Sequence, residues 1–493
     1  MTTAFPPRRP PLRGWLALAL ALGLLASAGL PAARAQQDAK SDKEKAKGSA
    51  KSKAEGKAKE EPAEGEAGDE AKHPVQPAEP ELPDRFEDPR AEAALPNTFP
   101  ELPTVKSSGD DKALIDQLSR GQGNMDAGAI DRFVRNRAGD LTRKSYIKAL
   151  TDPTVKVGNP KAIETATRDL MGPLLVPSSA SNAGFRREYV KKLVEVFRPI
   201  WAGHLHSRTM AMIVLSRSGE PGAVPTFTDQ LNDPDQLAIV KLLAAVGISN
   251  VAQNGKRDVD DAVATPAAKA LAEFLKREPQ TFWHAQARAL EALGSLRLAT
   301  DQARGSKAEF ADVAIALAAD PKAAPAVRAW ASWALGMMRV PQTVKNYNYP
   351  LVANVMGGVT ADIGAKIAAL PDNAASKMVQ LADPLVQIHL GISGDPDVRA
   401  SGLSSASHPA ASAAQPYIAE VDKRVRAVTK LSIDLSNSAK GSQMKKGRES
   451  LTAAVDDLRA FLAKPVTTGR ALYSGAEPLP LPAAPKVADG GRR

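Results

Sequence analysis

From Leu114 to Leu462 apolar side chains return at intervals of three and four residues, with polar or small residues between them. That is the period of helices that bury one face. The clearest run is Phe185, Tyr189, Val190, Leu193, Val194 and Phe197, whose i, i+4, i+5, i+8, i+9, i+12 order predicts one strong helix halted at Pro199. Upstream, Leu114, Ile115 and Leu118, then Ile130, Phe133 and Val134, then Leu141, Tyr146, Ile147 and Leu150 predict short amphipathic helices separated by glycine-rich breaks. Residues 106–200 therefore read as an N-terminal helical subdomain or cap. Near the other end Ile418, Val421, Val425, Val428 and Leu435 keep the spacing, and Leu451, Val455, Leu458 and Leu462 resume it after Lys440-Gly441-Ser442. Two helices of ~20 residues joined by a short polar turn predict an antiparallel hairpin over 416–464, able to cap the array or to pair with another copy.

Between residues 201 and 405 the helical pattern repeats. Ala245-Val246-Gly247, Ala292-Leu293-Gly294 and Ala334-Leu335-Gly336 are the same small-apolar-glycine closure, spaced 47 and 42 residues apart. Both spacings fall in the range of roughly 40 to 47 residues used by stacked helix pairs. A shorter apolar helix precedes each one, over Val224 to Leu231, Ala267 to Leu275 and Phe310 to Leu317, and ends in Asp233-Pro234, Glu278-Pro279 or Asp320-Pro321. The acid is expected to cap the next helix and the proline to start it. Each closing glycine is expected to end its helix in a left-handed conformation. Trp330 and Trp333 share a helix face and are expected in the core.

Asp395-Pro396-Asp397-Val398-Arg399-Ala400, and Asp320-Pro321 leading into Ala326-Val327-Arg328-Ala329, resemble the Asp-Pro-x-Val-Arg-x-Ala turn of HEAT-type, armadillo-like repeats. The resemblance covers roughly residues 203–405. It implies an all-α chain, a right-handed α-solenoid of HEAT-like helix pairs completed by the C-terminal hairpin, working as a scaffold that binds a protein partner. It also implies that Arg328 and Arg399 bond the turn acids Asp320 or Asp395. The other use of a guanidinium fork is to hold acidic groups of a partner, which makes Arg288, Arg328 and Arg399 the candidate partner-binding residues. The sequence departs from the pattern at three places. The unit at Asp233 lacks the arginine, Arg288 sits further along its helix, and Tyr347 to Asp372 interrupts the array with Gly357-Gly358 and no clear unit. The 34-residue tetratricopeptide pattern does not recur.

Composition and charge add an address. Aromatic residues make up only 4% of the chain, which suits helices packed through small residues. Arg8, Arg9 and Arg13 precede an apolar run from Trp15 to Leu30, and Ala33-Arg34-Ala35 offers a small-x-small cleavage pattern, so residues 1–35 read as a signal peptide. The run is shorter than the ~20 residues a spanning helix needs, so no transmembrane span is expected after cleavage. The expected location is the periplasm of a bacterial envelope, or outside the cell. The twin-arginine route is the minor alternative, because Pro10 and Pro11 follow Arg8-Arg9. Residues 36–105 read as a disordered tether, lysine-rich from Lys40 to Lys59 and acidic from Glu60 to Glu70, and residues 465–493 as a disordered Pro-rich tail. The formal charge of +10 falls to +6 without the four arginines of residues 1–35, too mild an excess for nucleic-acid binding. The lysine run is suited instead to anionic envelope polymers.

Candidate chemistry is sparse. There is no cysteine, hence no disulfide, thiolate ligand or cysteine nucleophile. His204 and His206 point to different faces of a helix, ~200° apart. Asp258, Asp260 and Asp261 lack the glycine and distal glutamate of a calcium loop. No phosphate loop, dinucleotide fingerprint, Gly-x-Ser-x-Gly or His-Glu-x-x-His occurs. No catalytic residue, metal or cofactor is expected. The rival reading is an envelope hydrolase or polymer-processing enzyme with a site in the poorly patterned segments Tyr146 to Phe185 and Tyr347 to His389. Oligomeric state is left open.

Overall fold

The computed structural model describes residues 99–479, except 153, 255–258, 280, 302–304, 397, 399, 400, 438–441 and 465–468. The signal-peptide reading, the lysine run, most of the tether, Arg399 and residues 480–493 lie outside the described residues. Within them the chain is all-α, with sixteen α-helices and one isolated backbone bridge, Leu298 to Arg339.

Five helices form the N-terminal block: α1 (Gly109–Ser119), α2 (Ala127–Thr142), α3 (Lys144–Thr151), α4 (Ala162–Leu175) and α5 (Ala183–Phe197). α2 is its centre, burying Ile130, Phe133, Val134 and Leu141 against α1, α4 and α5. Ser108 and Asp111 make a capping box at the start of α1. Arg132 of α2 clamps the same Asp111 carboxylate at 2.7 Å and, as the largest influence, holds it down at about 2. α4 fills part of the stretch in which the sequence pattern was weak. It buries Ile163, Ala166, Leu170 and Leu174, and the Leu170 carbonyl accepts a bond of 2.9 Å from the buried Tyr189 hydroxyl of α5. The last residues assigned to the tether are tied down: Phe99 is buried, and the Leu102 amide donates to Thr142 Oγ1 at 3.0 Å.

Nine helices follow as two rows. α6 (Leu205–Ser216), α8 (Ala238–Asn254), α10 (Trp283–Leu296), α12 (Pro325–Met337) and α14 (Ala375–Ser393) each pack on the next. Between them in the chain, α7 (Val224–Asn232), α9 (Asp261–Arg277), α11 (Glu309–Ala319) and α13 (Tyr349–Ala369) do the same. Each helix of the second set also packs on the one that follows it in sequence.

The recurring glycines act differently from the sequence expectation. Gly247, Gly294 and Gly336 lie inside α8, α10 and α12, and none has a positive φ; the left-handed residue ending α10 is Arg297, at φ 61°. Their task is close approach. A Cβ on Gly294 would sit 2.6 Å from the Trp333 ring and 2.8 Å from Cα of Ala334, and one on Gly336 would sit 1.9 Å from the Gly391 carbonyl oxygen. A Cβ on Gly247 would meet the Phe227 ring of α7 at 2.4 Å. The helix backbones touch, and only hydrogen fits between them.

The acid-proline steps also differ. Asp233, Glu278 and Asp320 each stand five residues before a helix start, so they and their prolines belong to the turn. Asp233 and Asp320 accept the amide two residues on, from Asp235 and Lys322, both at 2.9 Å. That is the Asx turn, which fixes the corner itself. Glu278 instead takes the ammonium of Lys241, whose side chain is fully buried on α8.

The segment that interrupted the repeat is a helix. α13 runs without a break through Gly357 and Gly358 and beds against the hairpin of α15 (Pro409–Ser436) and α16 (Ser442–Leu462). A Cβ on Gly364 would meet Val428 at 2.7 Å and Val455 at 2.9 Å, so the glycines admit the hairpin's side chains. Among the described residues α13 alone is long and apolar enough to cross a membrane, but 67% of that window is buried within the protein, as in a core helix. Part of the supposed tail also differs from expectation: residues 469–479 return to the body and bury Leu472 and Tyr473.

Candidate interaction surface

In the row α6, α8, α10, α12, α14 the three middle helices each leave a stripe incompletely covered. On α8 the stripe is Leu242 and Val246; on α10 it is His284 and Arg288; on α12 it is Ala326 and Trp330, all half-buried. Each pair is four residues apart, hence on one helix face. The stripes of α8 and α10 are joined further along, where the Ser249 and Ser295 hydroxyls lie 3.2 Å apart and Gln253 Nε2 donates to both at 2.9 and 3.3 Å. On α12, Trp330 sets its edge against Trp333 with ring centroids 5.3 Å apart, and Trp333 covers Gly294 of α10. Trp333 is in the core as expected, whereas Trp330 stays half-exposed.

Aromatic rings gather at the start of α10. His284 stacks on Trp283 at 3.4 Å and lies 4.4 Å from Phe282, and all three are half-buried. Burial, with the Arg288 charge second, pushes the His284 imidazole down to about 4, so it is neutral at ordinary pH. Arg288 pairs with Glu291 at 2.5 Å, one helical turn on. A neutral ring stack, a cation and apolar flanks make a surface rich in the residue types that anchor protein interfaces.

The three arginines singled out by sequence do not come together as a set. Arg288 lies on this surface. Arg328 is buried, and it bonds neither turn acid: Nε donates to the Ala318 carbonyl at 3.0 Å and Nη2 to Asp362 at 3.1 Å, bracing α12 to α11 and α13. The turn acid Asp320 is already occupied by the Lys322 amide. Arg399 lies outside the described residues.

The rival reading required polar groups converging beside a histidine. His204 and His206 are buried at the start of α6, with His204 Nδ1 accepting the His206 amide at 3.1 Å and its ring 5.1 Å from Phe99. Burial, as the largest cause, pushes both imidazoles down to about 4. His389 of α14 lies 3.2 Å from Asp422 of α15, which Arg426 also faces at 3.6 Å. That arrangement braces two helices. Among the described residues no group of three or more His, Cys, Asp or Glu side chains is placed to hold a metal ion.

A cavity of about 220 Å³ lies beside Gly219, Glu220, Val251 and Asp260. Arg186 lines it with its guanidinium donors already directed to Glu220 and to the Leu174, Val176 and Ser218 carbonyls. Its arginine is thus a staple between α4, α5 and the turn after α6.

Sequence reasoning missed the half-exposed stripe because its members differ in type, from Leu242 to His284 to Ala326. Their common spacing of 42 residues was the available signal. Compared with models of protein families, with curated proteins and with solved structures, the chain matches none of them.

Proposed function

We propose that this chain is an exported scaffold or adaptor of the bacterial envelope, a right-handed α-solenoid of HEAT-like helix pairs that holds a protein partner along the row α6, α8, α10, α12, α14. The observation that carries this reading is the succession of half-exposed stripes on helices packed in chain order, centred on Phe282, Trp283, His284, Arg288 and Trp330. Stacked pairs offer a long surface without chemistry, and aromatic and arginine side chains supply most of the energy at such surfaces. The signal-peptide pattern of residues 1–35 supports the envelope as the place. In this reading Arg288 meets an acidic group of the partner, while Arg328 serves the stack alone.

The test is affinity capture from a periplasmic extract with the purified chain, followed by the same capture with Arg288→Glu and Trp330→Ala. The reading expects one protein retained by the parent chain and at least a tenfold loss with either variant, about 1.4 kcal/mol or more, while the circular dichroism stays helical. Capture that is absent, or unaffected by both changes, contradicts it.

A further inference from the structure

The two ends of the second half of the molecule are stitched together at one place. The connection from α12 to α13, residues 338–348, is one of the two long connections in the rows, and residues 469–479 lie along it. The Asn348 amide donates to the Leu472 carbonyl at 2.7 Å, and the Ser474 amide to the Lys345 carbonyl at 3.3 Å. Asn348 Nδ2 reaches the Gly469 and Ala471 carbonyls at 3.3 and 3.2 Å, while its Oδ1 caps α13 by accepting the Leu351 amide at 3.0 Å. Asn346 Nδ2 donates to Ser474 Oγ at 2.8 Å. At the centre, the buried Tyr473 side chain crosses to α11, where its hydroxyl donates to the Asp312 carboxylate.

The strap buries only Leu472 and Tyr473, its other links to residues 345–348 and Asp312 are hydrogen bonds, and two features work against it. Asn346 holds φ at +57°, a left-handed conformation in which asparagine is tolerated but unusual. Tyr347, between Asn346 and Asn348 and packed on Tyr349 at 4.8 Å, has a buried hydroxyl with no hydrogen-bond partner. Apolar seams such as Gly336 on Gly391 carry no such penalty. A short strap that buries two side chains and is otherwise held by bonds that water can replace, next to an unsatisfied group, opens before the helices it touches.

We propose that residues 469–479 form a releasable latch, which when seated clamps the entry of α13 to α11 and when released uncovers the Tyr347, Tyr349 and His408 face. The latch joins the hairpin that precedes it in the chain to the middle of the two rows. Its release is a conformational step separate from partner capture.

Hydrogen exchange of the full chain tests it, with Tyr473→Phe as the main variant and Ser474→Ala as a milder one. In the parent, amides of 345–351 and 470–476 exchange together and faster than those of 286–293 in α10. Tyr473→Phe removes one bond to a charged acceptor and accelerates both segments by the same factor, about tenfold or more, leaving α10 unchanged; Ser474→Ala accelerates both by about threefold. Exchange of these segments at the rate of α10 in the parent, or acceleration of one without the other, or acceleration of every helix alike, overturns the latch.

Discussion

The seam from α10 through α12 to α14 and the joint at the start of α13 hold the same molecule by different means. Along the seam, backbones come close at Gly294, Gly336 and Gly391, and residues 39 to 59 positions apart in the chain touch where a glycine leaves room. At the joint, Asn346, Asn348, Asp312 and Tyr473 bring together residues up to 161 positions apart through hydrogen bonds. The seam has no tolerance for added atoms, whereas the joint tolerates exchange of its partners for water. Rigidity is therefore a property of the rows, and adjustability belongs to their junction with the C-terminal segment.

The largest effect expected is at the seam. In Gly336→Leu the new Cβ would lie 1.9 Å from the Gly391 carbonyl oxygen, and both atoms belong to packed helix backbone. Denaturant unfolding should show a loss of at least ~3 kcal/mol, the upper part of the range for overpacking. Gly358→Ala is the control inside another buried helix: no atom lies within 4 Å of its Cβ, so relief of backbone freedom should raise stability by ~0.5 to 1 kcal/mol. A Gly336→Leu variant as stable as its parent would remove the close approach on which the comparison rests.

The seam was visible in the sequence and the joint was not, for one physical reason. A contact made by the same small residue at each layer leaves a periodic trace, and the alanine-apolar-glycine closure recurred after 47 and 42 residues. The trace identified the glycines without identifying their role, since helix termination and close approach select the same residue. Gly391, preceded by Leu390, continues the set, but it falls 55 residues after Gly336 because α13 is longer than α11 and Gly391 stands further along α14. Asn348 and Tyr473 each occur once, so no period marks them; their pairing exists only when the chain returns on itself. The arginine set failed similarly. Arg288 and Arg328 look alike in sequence, yet a shift along the helix puts one at the surface and the other in the core.

Acid should separate the two regions by a smaller amount. His204 and His206 are pushed down to about 4 chiefly by burial, so folding favours their neutral forms. Their contribution is whole above ~6.5 and is lost as pH falls toward about 4, at up to ~1.4 kcal/mol per pH step for each imidazole. Asp312 has the opposite sign. Burial first, with Glu309 adding, raises its carboxyl against the lowering by the Tyr473 hydroxyl, Lys276 and Lys307. Its contribution is whole below the ordinary carboxylate range and fades as pH rises through the raised value. Lowering pH from 7 to 4.5 should therefore lower the protection factors of 205–212, taken against the intrinsic rate at each pH, while those of 345–351 hold or rise. A His204→Gln, His206→Gln chain should lose the first response, and a parent that loosens in both regions together would contradict the assignment.

The most direct measurement concerns Leu335, which is 2% exposed in α12 beside Gly336. Leu335→Asp buries an unpaired carboxylate, a cost of several kcal/mol against a total stability of ~5 to 15. If each layer leans only on its neighbours, hydrogen exchange should rise in α10, α11, α12 and α14 while the helix Ala183–Phe197 keeps its protection. Equal loss of protection in all helices, including Ala183–Phe197, would mean one undivided core and would contradict the stacked-pair account.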